Sequence, residues 1–301
     1  MLSYRDIVKL KTLFQNNENI IHYIKSNTDL NPEEAILHSY DLQAGSYIKA
    51  LSDQKAHKIL KEQIGLKLAG ILKDLSVNHV CEAGVGEATT LSHVLSEVQF
   101  NKTFAFDISM SRLLYANEYL ANNNHNVNLF CSELSSIPFP DNSIECIYTY
   151  HTLESNGGNE EYLLKELLRV TNKYLILIEP DYDLFGNEQK LRMTSHGYIK
   201  HLQQHLSKLN ANIIRHEPWE LDSNPLNKAS IIIVEKDNVN QIPDEVNFCS
   251  PISYQDLIKV DEGFFCKSDG FLFPTVKNIP VFLKKNAILI SHYDSFKQDI
   301  L

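Results

Sequence analysis

The chain alternates between short apolar runs and longer amphipathic stretches, and the period of its apolar positions switches between strand-like and helix-like. Apolar runs at 80–83, 103–107, 127–131, 143–149 and 174–180 read as five strands. The last, Tyr174-Leu175-Ile176-Leu177-Ile178-Glu179-Pro180, is nearly continuous in apolar residues, as a strand covered on both faces should be. Between the fourth and fifth runs, 160–169 carries Leu163, Leu164, Leu167 and Leu168 on one helical face. A helix is expected over 190–209, followed by strands at 211–217 and 229–235, with the turn-forming Asn224-Pro225-Leu226-Asn227 between them. Ahead of the first strand, 2–16, 18–26, 32–51 and 55–75 read as helices, the third with Pro32 in its first turn. Strands alternating with helices in this order predict an α/β chain built on a doubly wound sheet of seven strands. Three regions follow: a helical segment over 1–75, the sheet domain over 76–236 and, after a polar linker at 237–245, a small β-rich module over 245–301.

The first strand runs into Glu82-Ala83-Gly84-Val85-Gly86, and the second ends on Asp107. Two glycines spaced by one let bare backbone approach a ligand, and a carboxylate at the end of the next strand is placed to grip a ribose. That pattern points to a nucleoside-bearing cofactor. A dinucleotide fingerprint would carry a third glycine where this chain has Thr89, so that a helix N-terminus can take a pyrophosphate. Glu87, expected in the first turn of the following helix, would repel a pyrophosphate. A ligand without phosphates fits better.

On these residues the chain resembles the class I S-adenosylmethionine-dependent methyltransferases, whose first motif reads acidic-x-Gly-x-Gly at the end of the first strand. The resemblance implies that Glu82, Gly84 and Gly86 cradle the methionine part of S-adenosyl-L-methionine and that Asp107, with Ile108 after it, takes the ribose. It also places Ser132 and Glu133, followed by Ile137-Pro138-Phe139, at the adenine loop, Tyr150 among the cofactor-binding residues, and His151-Thr152-Leu153-Glu154 at the rim where cofactor and substrate meet. The sheet would be the family's seven-stranded Rossmann-like one. The N-terminal helical segment would be a lid, with Tyr40 and Tyr47 over the site and Gly45 between them marking a break or a close approach to ligand. Tyr40 and Tyr47, seven residues apart, also fit a single apolar helix stripe.

Composition narrows the partners. A chain of 301 residues with 43% hydrophobic residues has ample material for one large core plus a smaller module. Its formal charge of -10 and the lack of a basic patch count against nucleic acid. No apolar run is long enough to cross a bilayer and no signal-peptide core is visible, so a cytoplasmic location without membrane partners is expected. Five cysteines without framework spacing, three of them in expected core strands, read as unpaired small hydrophobes.

The C-terminal pattern, Cys249 to Ser253, Cys266 to Pro274 and Asn278 to Leu283, resembles the small zinc-ribbon modules that partner methyltransferases. The Phe273-Pro274 and Ile279-Pro280-Val281 tail matches. The knuckles do not: Ser250, Ser253, Cys266 and Asp269 stand where the resemblance implies four cysteines. The expected module therefore holds no zinc, is packed on Phe264, Phe265, Phe271, Phe273 and Phe282, and docks on the catalytic domain to shape the substrate entrance.

Methyl transfer needs positioning, desolvation and, for a hydroxyl or protonated amine, a base. His151 at the end of the fourth strand is the first candidate, with His196 and Glu179 as further ones and Glu154, Asp181 and Tyr182 nearby. His151 fits a purely positioning role equally well. Trp219 reads as a packing residue at the sheet edge. After the fourth strand, Thr149-Tyr150-His151-Thr152 lacks the Asn/Asp-Pro-Pro-Tyr/Phe loop of enzymes that methylate base amino groups. The expected function is S-adenosylmethionine-dependent methylation of an oxygen or nitrogen of a small metabolite or natural-product intermediate, with S-adenosyl-L-homocysteine as product. A peptide or protein acceptor docked on the C-terminal module, or a non-catalytic binding partner of the same fold, are the alternatives. The sequence leaves the oligomeric state open, a homodimer included.

Overall fold

The computed structural model describes residues 4–16, 18, 20, 23, 32–236 and 245–296. The linker at 237–244 and most of the helix expected over 18–26 lie outside the described residues. The sheet strands are β1 (His79–Ala83), β2 (Lys102–Asp107), β3 (Asn128–Cys131), β4 (Ile144–Tyr150), β5 (Thr171–Pro180), β6 (Asn212–Pro218) and β7 (Ala229–Glu235). Their order is β3-β2-β1-β4-β5-β7-β6. β3, β2, β1, β4 and β5 run parallel, and β7 pairs antiparallel with both β5 and β6. The strands expected at 211–217 and 229–235 form an antiparallel hairpin at the edge of the sheet, with β7 against β5 and β6 at the margin. The sequence explains this placement: Ala229 to Val234 is buried throughout, whereas β6 alternates exposed and half-buried residues.

Two apolar layers cover the sheet. On one face Ile64, Leu68 and Leu72 of the Lys55–Asp74 helix pack with Leu91, Leu113 and Ile176. On the other, Leu163, Leu164 and Leu167 of the Glu160–Val170 helix pack with Phe104, Phe106 and Leu175. Trp219 is fully buried, with Lys67 over its ring, and packs in the first layer.

Two long helices expected from the periodicity are broken. The 32–51 stretch forms Pro32–Leu42 and Ser46–Asp53 with Gly45 at φ 91 between them, so Tyr40 and Tyr47 sit on different helices instead of one stripe. The 190–209 stretch forms Asn187–His196 and Leu202–Lys208, because Gly197 takes a left-handed C-cap and Ile199 turns inward, its N–H donating to the carbonyl of Glu154 at 2.9 Å.

The C-terminal module is a five-stranded antiparallel sheet of β8 (Ile258–Val260), β9 (Gly263–Phe265), β10 (Phe271–Val276), β11 (Ile279–Pro280) and β12 (Ile288–Leu289). It lies against the edge strand β3: Val281 bridges Cys131 and the Phe282 N–H donates to the Cys131 carbonyl at 2.8 Å. Phe248 and Phe282 fill the seam with Phe130 and Phe139. Of the five phenylalanines expected to hold this module, Phe264, Phe271, Phe273 and Phe282 face the large core and Phe265 a small separate one. No helix among the described residues is long and apolar enough to cross a membrane.

Candidate active site

Strands β1, β2 and β4 end at one side of the sheet, where an open parallel sheet places its ligands. A cavity of about 380 Å³ lies there, roofed by the N-terminal helices and flanked by the β6–β7 connection. Glu82, Gly84, Gly86, Asp107, Ile108, Ser132, Glu133, Tyr150, Tyr40 and Tyr47 all line it, although they come from residues scattered between 40 and 150.

Backbone geometry at the glycine loop is specific. Gly84 has φ 74, and a Cβ there would stand 2.0 Å from Cγ2 of Thr152, so the loop after β1 and the loop after β4 are in contact only because residue 84 has no side chain. Thr152 secures that contact by donating its hydroxyl to the Ala83 carbonyl at 2.9 Å. Asp107 accepts from the Gly86 N–H and the Ser109 N–H, both at 2.9 Å, which fixes its carboxylate at the cavity wall. Burial raises its pKa, against the nearby Arg112 and these backbone donors.

Glu82 is buried and accepts from the Tyr148 hydroxyl at 2.7 Å. Burial pushes its carboxyl up to about 8, while Tyr148 and Lys61 pull the other way. Lys61, on the Lys55–Asp74 helix, donates to Thr90 Oγ1 at 3.2 Å and sits 4.8 Å from the Tyr150 ring centre. Burial lowers its ammonium to about 8, with Glu82 opposing. Each favours the other's charged form, but burial outweighs that help in both and pushes both toward neutrality.

Arg112 is the second cation of the cavity. Its guanidinium lies 4.6 Å from the Tyr40 ring and 4.5 Å from the Tyr47 ring, and its Nε donates to the Tyr40 carbonyl at 3.2 Å. Its Nη2 is buried without a hydrogen-bond partner among the described residues. Neither cation is visible as a site residue in the sequence, because a lysine or arginine on an amphipathic helix reads as solvent-facing.

Glu87 overturns its expected role. It lies before the Thr89–Glu97 helix, fully buried, and its carboxylate accepts from the backbone N–H groups of Gly45, Tyr47 and Ile48 at 3.0, 3.3 and 2.8 Å. It caps the start of the Ser46–Asp53 helix, and that helix's unpaired N–H groups account for a buried carboxylate at this point.

His151 lines the cavity and holds a φ of 54, with its N–H donating to the Ile178 carbonyl at 2.9 Å. Glu179 does not reach the cavity. It lies beneath this loop, accepting from the Thr152 and Leu153 N–H groups at 2.9 and 3.1 Å, so it shapes the loop that carries His151. Burial raises it to about 7 against His151 and these donors. His196 is not brought to the site: it is exposed at the end of its helix, hydrogen-bonded to Ser195 and the Arg192 carbonyl. The helix break at Gly197 is what turns it away. Asp181 is likewise used structurally, accepting from His216 at 2.8 Å and Ser230 at 2.6 Å. None of residues 245–296 lines the cavity, so the module backs the Ser132–Phe139 loop instead of shaping a substrate entrance. Its four knuckle positions do converge: Ser250 and Ser253 each donate to Asp269 at 2.7 Å, and Ser253 Oγ lies 3.8 Å from Cys266 Sγ.

Residues 80–173 match the family model described as a methyltransferase domain. Among curated proteins the chain has no match. Among solved structures it is similar to the magnesium protoporphyrin IX methyltransferase of Synechocystis PCC 6803 with bound SAM, at TM-score 0.51 and 13% identity, over 70% of this chain and 99% of that one. It is also similar to the (4+2)-cyclase SpnF, at TM-score 0.53 and 14% identity, over 68% of this chain and 96% of that one. At these identities the likeness is one of fold.

Proposed function

We propose that this chain, whose residues 80–173 match a methyltransferase domain, uses S-adenosylmethionine to methylate an oxygen or nitrogen of a small metabolite or natural-product intermediate, with S-adenosyl-L-homocysteine as product. The observation that carries this reading is the cavity: one roofed space in which the whole expected cofactor set and His151 face each other. Its volume falls within the roughly 300–1,000 Å³ of small-molecule sites.

The residues present fit the cofactor. The Asp107 carboxylate at the wall beside Gly86 and the unpartnered Arg112 Nη2 are features that a polar ligand would complete. Asp107 would hold the ribose hydroxyls and Glu82 the cofactor's ammonium, with Lys61 and Arg112 the cations available to its carboxylate. When bound, S-adenosylmethionine supplies a methyl group on a positively charged sulfur. Tyr40 and Tyr47 exclude water from above, and His151 takes the acceptor's proton. The C-terminal module acts as a ribbon without metal, in which Asp269 and its two serine donors hold together what zinc would otherwise join.

Calorimetry with S-adenosylmethionine and S-adenosylhomocysteine tests the cofactor, and absence of heat at millimolar ligand would sink the proposal. For the acceptor, methyl-labelled S-adenosylmethionine is incubated with the protein and a cell extract separated by size. Label in the low-mass fraction is expected; label confined to protein would replace the small-molecule acceptor with a polypeptide.

A further inference from the structure

Contacts from three places converge on Glu154: its own loop, the β6–β7 connection and the segment after the Asn187–His196 helix. Its Oε2 lies 3.1 Å from Nδ1 of His151 and accepts from Nδ2 of Asn227, also at 3.1 Å. Asn227, in the β6–β7 connection, is itself held by Arg192 Nη1 at 2.5 Å. The guanidinium of Arg192 rests 5.3 Å from the Tyr198 ring centre, and the Glu154 carbonyl is pinned by the Ile199 N–H. His151 and Glu154 side chains are only 24% and 17% exposed, so their contact is largely shielded from water.

We propose that Glu154 is the positioning residue for His151, and that Asn227 and Arg192 hold Glu154 in place, so that this chain of side chains selects the nitrogen through which His151 exchanges a proton. The proposal rests on the methyl-transfer reading above. With Nδ1–H donated to Glu154, Nε2 is the basic nitrogen. As the acceptor's lone pair forms its new bond to the methyl carbon and the carbon–sulfur bond breaks onto sulfur, the acceptor's proton passes to Nε2. The imidazolium so formed is balanced by Glu154, as the third group of a base-and-orienter arrangement does.

The backbone supports the same assignment. A left-handed φ at a non-glycine residue is sparsely populated and persists only where surroundings over-determine it. Here Glu179 caps the two residues after His151 and Thr152 locks onto β1. The charged groups around the ring are Glu154 on its own loop, Glu179 from β5, Lys61 from the Lys55–Asp74 helix and Asp222 from the β6–β7 connection. Burial lowers the imidazole's proton affinity, but the Glu154 hydrogen bond and charge outweigh it, with Glu179 adding and Lys61 opposing, so its pKa stands above the ordinary value. A base of this kind must shed its proton first, so methyl transfer should rise with pH through a midpoint above about 6.5.

Histidine-labelled protein titrated by NMR tests the assignment without any acceptor. In Glu154→Gln the His151 midpoint should fall by about one pH unit, and Glu154→Asp, which keeps the charge, should recover part of the fall. Asn227→Leu should produce a smaller fall in the same direction, and serves where Glu154→Gln fails to fold. An unchanged midpoint in Glu154→Gln, or in Asn227→Leu where that variant stands in, would overturn the proposal. Wild-type protein that binds no S-adenosylhomocysteine would instead overturn the methyl-transfer reading, and with it the dyad's catalytic purpose.

Discussion

The Pro32–Leu42 and Ser46–Asp53 helices and the C-terminal module both add to the same sheet domain, but they are attached by opposite chemistries. The helices meet it through charges: Asp41 accepts from Ser109 Oγ and the Ser111 N–H, Glu87 from three backbone N–H groups, and Arg112 lies between two tyrosine rings. The module meets it through rings and backbone: Phe282 and Phe248 against Phe130 and Phe139, and hydrogen bonds from the Phe282 and Cys249 N–H groups. Polar attachments exchange for water at modest net cost, about 0.5–3 kcal/mol each, whereas an exposed aromatic cluster has no such substitute.

Four variants would break or sharpen that contrast. Phe282→Ala should have the largest effect, removing about 3–5 kcal/mol of stability in denaturant unfolding, because Phe282 is fully buried among four other phenylalanines. The affinity of the folded fraction for S-adenosylhomocysteine should not change; a parallel fall would mean the module also tunes the cofactor site. Asp107→Ala should cost about 1–3 kcal/mol of stability, since two backbone N–H groups lose their acceptor, and should weaken cofactor binding by the folded protein roughly 10- to 100-fold by calorimetry, the worth of a charge-assisted hydrogen bond. Wild-type affinity would refute the ribose assignment. Glu87→Gln should cost about 1–2 kcal/mol of stability, with faster hydrogen exchange confined to 45–48. Exchange that stays slow there would show that the roof is held by packing. Replacing Ser250, Ser253 and Asp269 together by cysteine, beside Cys266, should give a chain that carries one zinc by elemental analysis. Its cofactor affinity should be unaltered, since the cluster is remote from the cavity.

The sheet was legible because parallel strands buried on both faces leave continuous apolar runs. The glycine loop was legible because Gly84 and Gly86, spaced by one directly after an apolar strand, mark a tight turn that needs positive φ and close approach. All ten residues of the expected cofactor set line one cavity. What stayed hidden were buried charges. Glu87, Lys61 and Arg112 each occupy positions where a surface residue looks the same in sequence, and only tertiary packing gives them partners. Glu179 and His196 show the converse error: both follow from being near a strand's ligand-side end, but Glu179 turns under the loop and His196 turns out into solvent. Helix ends were lost where a left-handed residue interrupted an otherwise good periodicity, at Gly45 and Gly197.

The seam between Val281 and Cys131 also sets a timetable. β3 emerges from the ribosome long before its partner, so throughout the synthesis of β4 to β10 it presents an unpaired strand edge and the bare rings of Phe130 and Phe139. Contacts between residues so distant in sequence form late and slowly, and an open edge invites pairing with other chains until they do. The exposure of the unfinished protein to aggregation is therefore governed by when its last module arrives.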